Sequence, residues 1–241
     1  MSLPKPRRAA SPTLRQVFVT GTDTDVGKTV FTAAFLAWLR RHEIPSIGFK
    51  PLASGSREDA ERLYEAQQRQ VPIDIINPWH FAEPIAPLLA ARQEGRRVTL
   101  EALAGHVEAA SQGLQFSVIE GAGGLLSPLM EGTDAPQVID RLDAAPVVVA
   151  VDRIGVVGQV RLVWAALSPA VRARAQVVLM EAPGPDASTA SNRALLGEYI
   201  EPLRIHAFPR LRPGELRKFG GTRTEEACGG IARGLGAGTV S

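Results

Sequence analysis

Lys28, Thr29, Lys50 and Glu120 each stand where an apolar run gives way to a turn or a glycine loop. The first two close the stretch VFVTGTDTDVGKT, in which Gly21 is followed by five residues and then by Gly27, Lys28 and Thr29. A strand that feeds a Gly-bearing loop opening into a helix aims several backbone N–H groups at one point. The helix N-terminus adds partial positive charge there, so the point suits a phosphate chain. Lys28 acts in such a loop as a point charge on the outer phosphates, and the Thr29 hydroxyl is placed to ligate a Mg²⁺ that travels with them. The usual loop has four residues between its glycines; here Thr22 stands where the first loop glycine is expected.

Glu120 ends the run FSVIE directly before Gly121, Ala122, Gly123 and Gly124. An acid at the end of a buried strand is where a phosphate-binding protein holds or orients Mg²⁺, and the glycines behind it let backbone approach a ligand. Lys50 ends PSIGFK and is followed by Pro51, Leu52, Ala53, Ser54 and Gly55. Open parallel sheets place ligand contacts at such strand ends, so Lys50 and Ser54 are site candidates; a lysine ending its strand in solvent is the other reading. Asp59, near the start of the charged segment 57–70, either favours a helix dipole or faces the site.

These residues need a scaffold of alternating strands and helices. The almost unbroken apolar run 30–39 predicts a helix after the loop, and 99–112 predicts another with Thr99 as its cap. Residues 77–96 carry prolines at 78, 84 and 87 and read as a loop with a brief helix. PVVVAV at 146–151 reads as a central parallel strand, followed by a helix over 156–167, a strand at 176–180, a helix over 186–200 and a last strand at 203–208. The alternation predicts an α/β fold, a doubly wound and mostly parallel sheet flanked by helices. Residues 1–14 read as a disordered basic tail, 15–216 as one domain, and 217–241, rich in glycine and without periodicity, as a second disordered tail.

Of the 241 residues, 45% are hydrophobic and 22% charged, which is ordinary for a chain that buries a substantial core. With a net charge of +2 and 5% aromatics there is no basic, aromatic-interleaved stripe for nucleic acid, and no run approaches the length of a membrane span. Cys228 is the only cysteine, which excludes an intrachain disulfide and fits a reducing, cytoplasmic compartment. His80 has no partner at metal-ligand spacing.

The set of motifs resembles the dethiobiotin synthetase family of P-loop enzymes. VTGTDTDVGKT from Val19, KPLASG from Lys50, NPWHFAEPIAP from Asn77 and EGAGGLLSPL from Glu120 match it in order, over residues 16–210. The resemblance implies an ATP-dependent cyclo-ligase of biotin biosynthesis that carboxylates 7,8-diaminononanoate with CO₂ and closes a ureido ring, giving ADP and phosphate. It implies Mg²⁺ ligands at Thr29, Asp59 and Glu120, and a nucleotide held by Thr24, Asp25, Val26, Gly27, Lys28 and Thr29. Lys28, Lys50 and Ser54 are the implied catalytic groups, with Lys50, Ser54 and Gly123 facing the reacting carbamate. The family is homodimeric and holds the substrate carboxylate at a helix start of the neighbouring subunit, here Ile154, Gly155 and Gly158, through free backbone N–H groups.

Two positions depart from the family. Gly158 and Gln159 replace an Asn-His pair, which removes a side-chain contact to the carboxylate. Glu181 stands where an asparagine reads the adenine edge; a carboxylate accepts from the adenine amino group and cannot donate to the ring nitrogen, so base selectivity is expected to relax. Pro209 and Leu211 match the segment that packs near the base. The competing reading is an ATPase switch of the ParA/MinD kind, but Thr22, Asp23 and Thr24 offer no additional lysine early in the loop. A glutamine-dependent amidoligase would need an amidotransferase domain for which the chain has no room, and Cys228 in a Gly-rich segment is a poor nucleophile.

Overall fold

The computed structural model describes residues 14–184, 186–211 and 221–236. The run Val17–Val19 lies inside β1 (Arg15–Gly21), and the phosphate-type loop opens into α1 (Lys28–Arg41). β2 (Ser46–Phe49), β3 (Leu52–Ser54), α2 (Glu58–Ala66), α3 (Ile73–Ile76), β4 (Trp79–Phe81) and α4 (Pro87–Gln93) follow. After α5 (Leu100–Ala110) come β5 (Phe116–Glu120), α6 (Ala135–Arg141), β6 (Ala145–Asp152), α7 (Val156–Ala166) and α8 (Pro169–Arg172). β7 (Gln176–Glu181), α9 (Thr189–Leu196), β8 (Ile205–Phe208) and α10 (Thr222–Gly234) complete the described chain.

The main sheet has the order β2-β5-β1-β6-β7-β8, and every pair is parallel. Both faces are covered, which is why its central strand can be apolar without alternation: Val147, Val148, Val149 and Ala150 are each 0% exposed. Successive residues still point to opposite faces. Val17, Val19 and Val118 pack with Phe31, Phe35 and Trp38 of α1, while Phe18 and Ile119 pack with Leu103 and Val107 of α5 and Val138 of α6. From β1 the chain crosses first to one side, to β2 and β5, and then to the other, to β6, β7 and β8. The strand order therefore reverses at β1, and the crevice for a ligand opens at the carboxyl ends beside it.

The expected doubly wound sheet is present, and Thr99 caps α5 by accepting from the Ala102 N–H. The segment expected as a loop over 77–96 holds more order: β4 pairs in parallel with β3, Ser54 opposite Phe81, as a small second sheet. The last strand begins at Ile205, after a single 3₁₀ turn at Pro202–Arg204, and α9 is shorter than the expected 186–200. Residues 1–13 of the expected N-terminal tail lie outside the described residues.

Over 222–234 the second tail expectation is corrected by α10, which is ordered and half-buried, while residues 217–220 and 237–241 lie outside the described residues. Ala227, Cys228, Ile231 and Ala232 join the core cluster of α1, and Trp38 Nε1 donates to Glu225 Oε1 at 2.7 Å. The glycines that made the segment look structureless are its contact face: a Cβ on Gly230 would lie 3.2 Å from His206 Nδ1, and one on Gly234 2.7 Å from Gln176 Oε1. Small residues that allow close approach give no hydrophobic period. Burial also pushes the Cys228 thiol pKa up, so it remains protonated and inert.

His206, on β8 beneath α10, donates from Nε2 to Gln176 Oε1 at 2.9 Å. Burial, together with the charges of Arg193 and Arg233, pushes its pKa down to about 4. The unfolded chain takes up this proton near its ordinary value of about 6.5, whereas the folded protein refuses it until about pH 4. The stability from a neutral His206 is thus complete above pH 6.5 and is lost as the pH falls toward 4, by up to about 3 kcal/mol. Urea midpoints measured from pH 7 to 4 should show a shallower acid loss for His206→Gln than for the unaltered protein.

Candidate active site

The loop between β1 and α1 is held by close packing. A Cβ on Gly21 would come within 2.7 Å of Val26 Cγ2, and Gly27, the residue before α1, has φ +96° with Met180 Cε 3.0 Å from where a side chain would start. Asp25 also has positive φ, at 53°. Lys28 Nζ folds back over the loop to donate to the Asp23 carbonyl at 2.7 Å. Burial, with the nearby charge of Lys50, lowers the Lys28 pKa, so this cation lacks sufficient compensation from its surroundings.

Behind the loop lies a buried ion cluster. Lys50, just past β2, is 5% exposed and donates to Glu120 Oε1 at 2.7 Å; its Nζ is 3.0 Å from Asp59 Oδ2. Thr29 Oγ1 donates to the same Glu120 oxygen at 2.7 Å. Burial alone would lower the Lys50 pKa, but Glu120 and Asp59 outweigh it and the net direction is up. The Asp59 carboxyl is held below the usual range because the Lys50 ammonium more than offsets its desolvation. Both groups stay charged at neutral pH. The alternative of Lys50 ending its strand in solvent is excluded, and Asp59, in the first turn of α2, faces the site.

A cleft of about 350 Å³ joins these parts, lined by Thr24, Asp25, Gly27, Lys28, Thr29, Lys50, Ser54, Asp59 and Gly123. Glu120 lies beneath it, 1% exposed. Ser54 lines the cleft, but its hydroxyl donates to the Ile85 carbonyl, which ties the β3 turn to the segment before α4. Two contributors carried no individual signal in the sequence. Arg62 lines the cleft one turn after Asp59, and Asn77 Nδ2 donates to the Lys50 carbonyl at 2.7 Å and so fixes the backbone of that lysine. Asn77 opens the NPWHFAEPIAP stretch, whose match was legible although the role of its first residue was not.

The donors suit a hard divalent cation, which takes oxygen ligands. Glu120 Oε2 is buried and accepts no hydrogen bond, an orphaned oxygen on the carboxylate whose Oε1 takes the bonds from Thr29 and Lys50. Among the described residues no three His, Cys, Asp or Glu side chains form a metal cluster of their own. A cation here would therefore share Thr29, Glu120 and Asp59 with water and ligand phosphates, as Mg²⁺ does.

A family model described as an AAA domain matches residues 15–215. The ATP-dependent dethiobiotin synthetase BioD of Anaeromyxobacter dehalogenans (strain 2CP-1) is 38% identical over 199 residues, covering 80% of this chain and 89% of that protein. The chain belongs to the dethiobiotin synthetase family. The enzyme of the same name from Chromohalobacter salexigens is 38% identical over 154 residues, 60% of this chain and 65% of its own length. Solved structures of pNOB8 ParA bound to nonspecific DNA (TM-score 0.56, 12% identity, 92% of this chain and 98% of that one) and of the hydrogenase maturation factor HypB from Archaeoglobus fulgidus (TM-score 0.54, 15% identity, 92% and 90%) share the fold. At those identities the likeness is one of fold alone.

The remaining positions matched to the dethiobiotin synthetase family lie outside this cleft. Glu181 ends β7 next to Met180, the side chain that abuts Gly27; one of its oxygens accepts from the Arg210 N–H at 3.2 Å and pairs with Arg223 Nη1 of α10 at 3.2 Å. Pro209 and Leu211 flank Arg210 just after β8. Ile154 and Gly155 precede α7 and Gly158 lies in its first turn. The expectation of free N–H groups there is corrected at Ile154, whose N–H donates to Asp186 Oδ2 at 2.8 Å. Asp186 also accepts from the Ser188 N–H, so a short acidic turn caps this helix start from within the chain.

Proposed function

We propose that this chain is an ATP-dependent dethiobiotin synthetase that carboxylates 7,8-diaminononanoate with CO₂ and closes the ureido ring. Beyond family membership, the observation that carries the reading is Lys50 held between Asp59 and Glu120 at the side of the Lys28 and Thr29 loop, in one cleft. Phosphoryl transfer to an anionic acceptor needs positioned cations and no protein nucleophile. An amine of the substrate captures CO₂ as a carbamate and releases a proton to water. A carbamate oxygen then attacks the γ-phosphorus of ATP, and ADP leaves. The second amine attacks the carbamoyl carbon and gives up a proton to water, the bond to the phosphate oxygen breaks, and phosphate departs with the electron pair.

In this reading Lys28 neutralises the outer phosphates and Lys50 the oxygens shared between carbamate and γ-phosphate. Ser54 and the backbone at Gly123 orient the carbamate. Thr29, Asp59 and Glu120 would hold Mg²⁺, which would supply charge neutralisation to the phosphates when bound. Residues 24–29 cradle the triphosphate through their N–H groups, with Asp25 and Val26 fixing the loop's shape. Glu181, Pro209 and Leu211 border the base; the Glu181–Arg223 pair presents both an acceptor and a donor, so nucleoside triphosphates other than ATP also serve. The enzyme works as a cytoplasmic homodimer, in which Gly155, Gly158 and the turn at Ile154 of one protomer meet the substrate carboxylate in its partner, with Asp186 yielding the Ile154 N–H.

Phosphate release from ATP with Mg²⁺ and bicarbonate should depend on the diamine, rising at least about tenfold on its addition, with a ureido product detected by mass. Release that is unchanged without the diamine would favour a nucleotide switch over a ligase.

A further inference from the structure

A second cavity, of about 420 Å³, lies away from the nucleotide cleft, between α4 and the segment that leads to α6. Its lining is apolar below the rim: Leu88 is half-buried, Val98 and Leu129 keep 6% and 4% of their surface, and Phe81 lies beneath them fully buried. Its rim carries the guanidinium groups of Arg92, Arg96 and Arg97 against the single carboxylate of Glu131. Glu131 is taken by Arg92 in a two-pronged pair at 2.6 and 2.8 Å. Arg96 lies over the Phe81 ring at 4.7 Å and donates to the His80 carbonyl and to Glu94. Arg97 makes no hydrogen bond or ion pair among the described residues, and only its longer-range field reaches Glu131.

An apolar floor under surplus positive charge selects an anion with a hydrocarbon body. We propose that this cavity binds a carboxylate carrying an aliphatic chain, with the chain along Leu88, Val98 and Leu129 and the carboxylate on Arg97. Arg96 is already seated on a ring and a carbonyl, and Arg92 is neutralised, so Arg97 is the cation left to take the charge-assisted pair. A ligand with an ammonium group is repelled by the same rim. Small inorganic anions lack the body that the floor would remove from water. Volume agrees with a small organic acid, being within the usual range for such pockets.

The test is calorimetric titration of the full-length protein with sodium octanoate at neutral pH. Saturable binding is expected at one site per chain, with affinity rising about fourfold per methylene from hexanoate to decanoate. Octylamine should not bind there, and phosphate should not compete. Arg97→Glu, at an exposed position that leaves the fold intact, should weaken octanoate at least tenfold, while Arg97→Lys keeps most of the affinity. Lys28→Ala, in the nucleotide cleft and bonded only to the Asp23 carbonyl, should leave octanoate binding unchanged. A parallel titration with dethiobiotin, a neutral ring on a similar acid, tells a plain fatty acid from a ring-bearing one, and tighter binding of either supports the site. Equal binding of octylamine, no effect of Arg97→Glu, or loss on Lys28→Ala in place of Arg97→Glu would overturn the proposal. None of these readouts depends on turnover, so they leave the synthetase reading to its own assay.

Discussion

Lys50→Ala is expected to lower kcat by about 10²–10³-fold while ATP still binds within a few-fold, because in the proposed reaction it removes a donor aimed at charge that would develop between carbamate and γ-phosphate. The same change strips the partner from a carboxylate that is 1% exposed. Leaving Glu120 buried and uncompensated costs about 3–5 kcal/mol of stability, far more than the net worth of an exposed pair. Two measurements separate these effects. Urea midpoints should fall for Lys50→Ala and recover in part when Mg²⁺ and ATP are added, since cation binding beside Glu120 relieves the same charge. Adding Glu120→Gln should restore stability without restoring turnover. If single-turnover rates of folded Lys50→Ala match the unaltered protein, the lysine is a structural counter-ion and its catalytic role is lost.

Lys28→Ala should behave in the opposite way. Its ammonium contacts a carbonyl, not a carboxylate, and burial together with Lys50 already disfavours its charge. Removing it therefore leaves the urea midpoint unchanged or raised. ATP affinity, by contrast, should drop by about 10²-fold or more, in the range of 2–5 kcal/mol that follows loss of one partner of a desolvated charge pair. Calorimetry with an uncleavable ATP analogue and Mg²⁺ checks this. A Lys28→Ala protein that is destabilised as much as Lys50→Ala but binds nucleotide normally would reverse the two assignments. In the proposed reading the two lysines divide the work: Lys28, bonded to a carbonyl, would meet the phosphates, and Lys50 is already balanced by Asp59 and Glu120.

How far these roles were legible varies residue by residue. The loop at Gly27, Lys28 and Thr29 could be read directly because backbone geometry there demands particular residues in a short stretch, and glycine at φ +96° against Met180 bears this out. Glu120 could be read as an acid at the end of a strand, since parallel sheets gather strand ends on one side. Asp59 could not be decided, because an acid in a first helical turn looks the same whether it serves the dipole or a neighbour; only the position of α2 beside β2 brings it to Lys50. The tail helix α10 escaped notice for a related reason. Its contacts are made by glycine and alanine, and closeness of approach leaves no mark in a hydrophobic period.

By itself the sequence determined the α/β class, the parallel order of strand and helix, the phosphate loop and the family, all of which depend on local patterns or on spacing along the chain. The tertiary structure decided that Lys50 is enclosed between two carboxylates, that Asn77 holds its backbone, that Asp186 covers the Ile154 N–H, and that three guanidinium groups ring an apolar cavity. Those facts join residues 9 to 70 positions apart. Charge and burial act through space, and a side chain's partners are set by which elements the fold lays side by side.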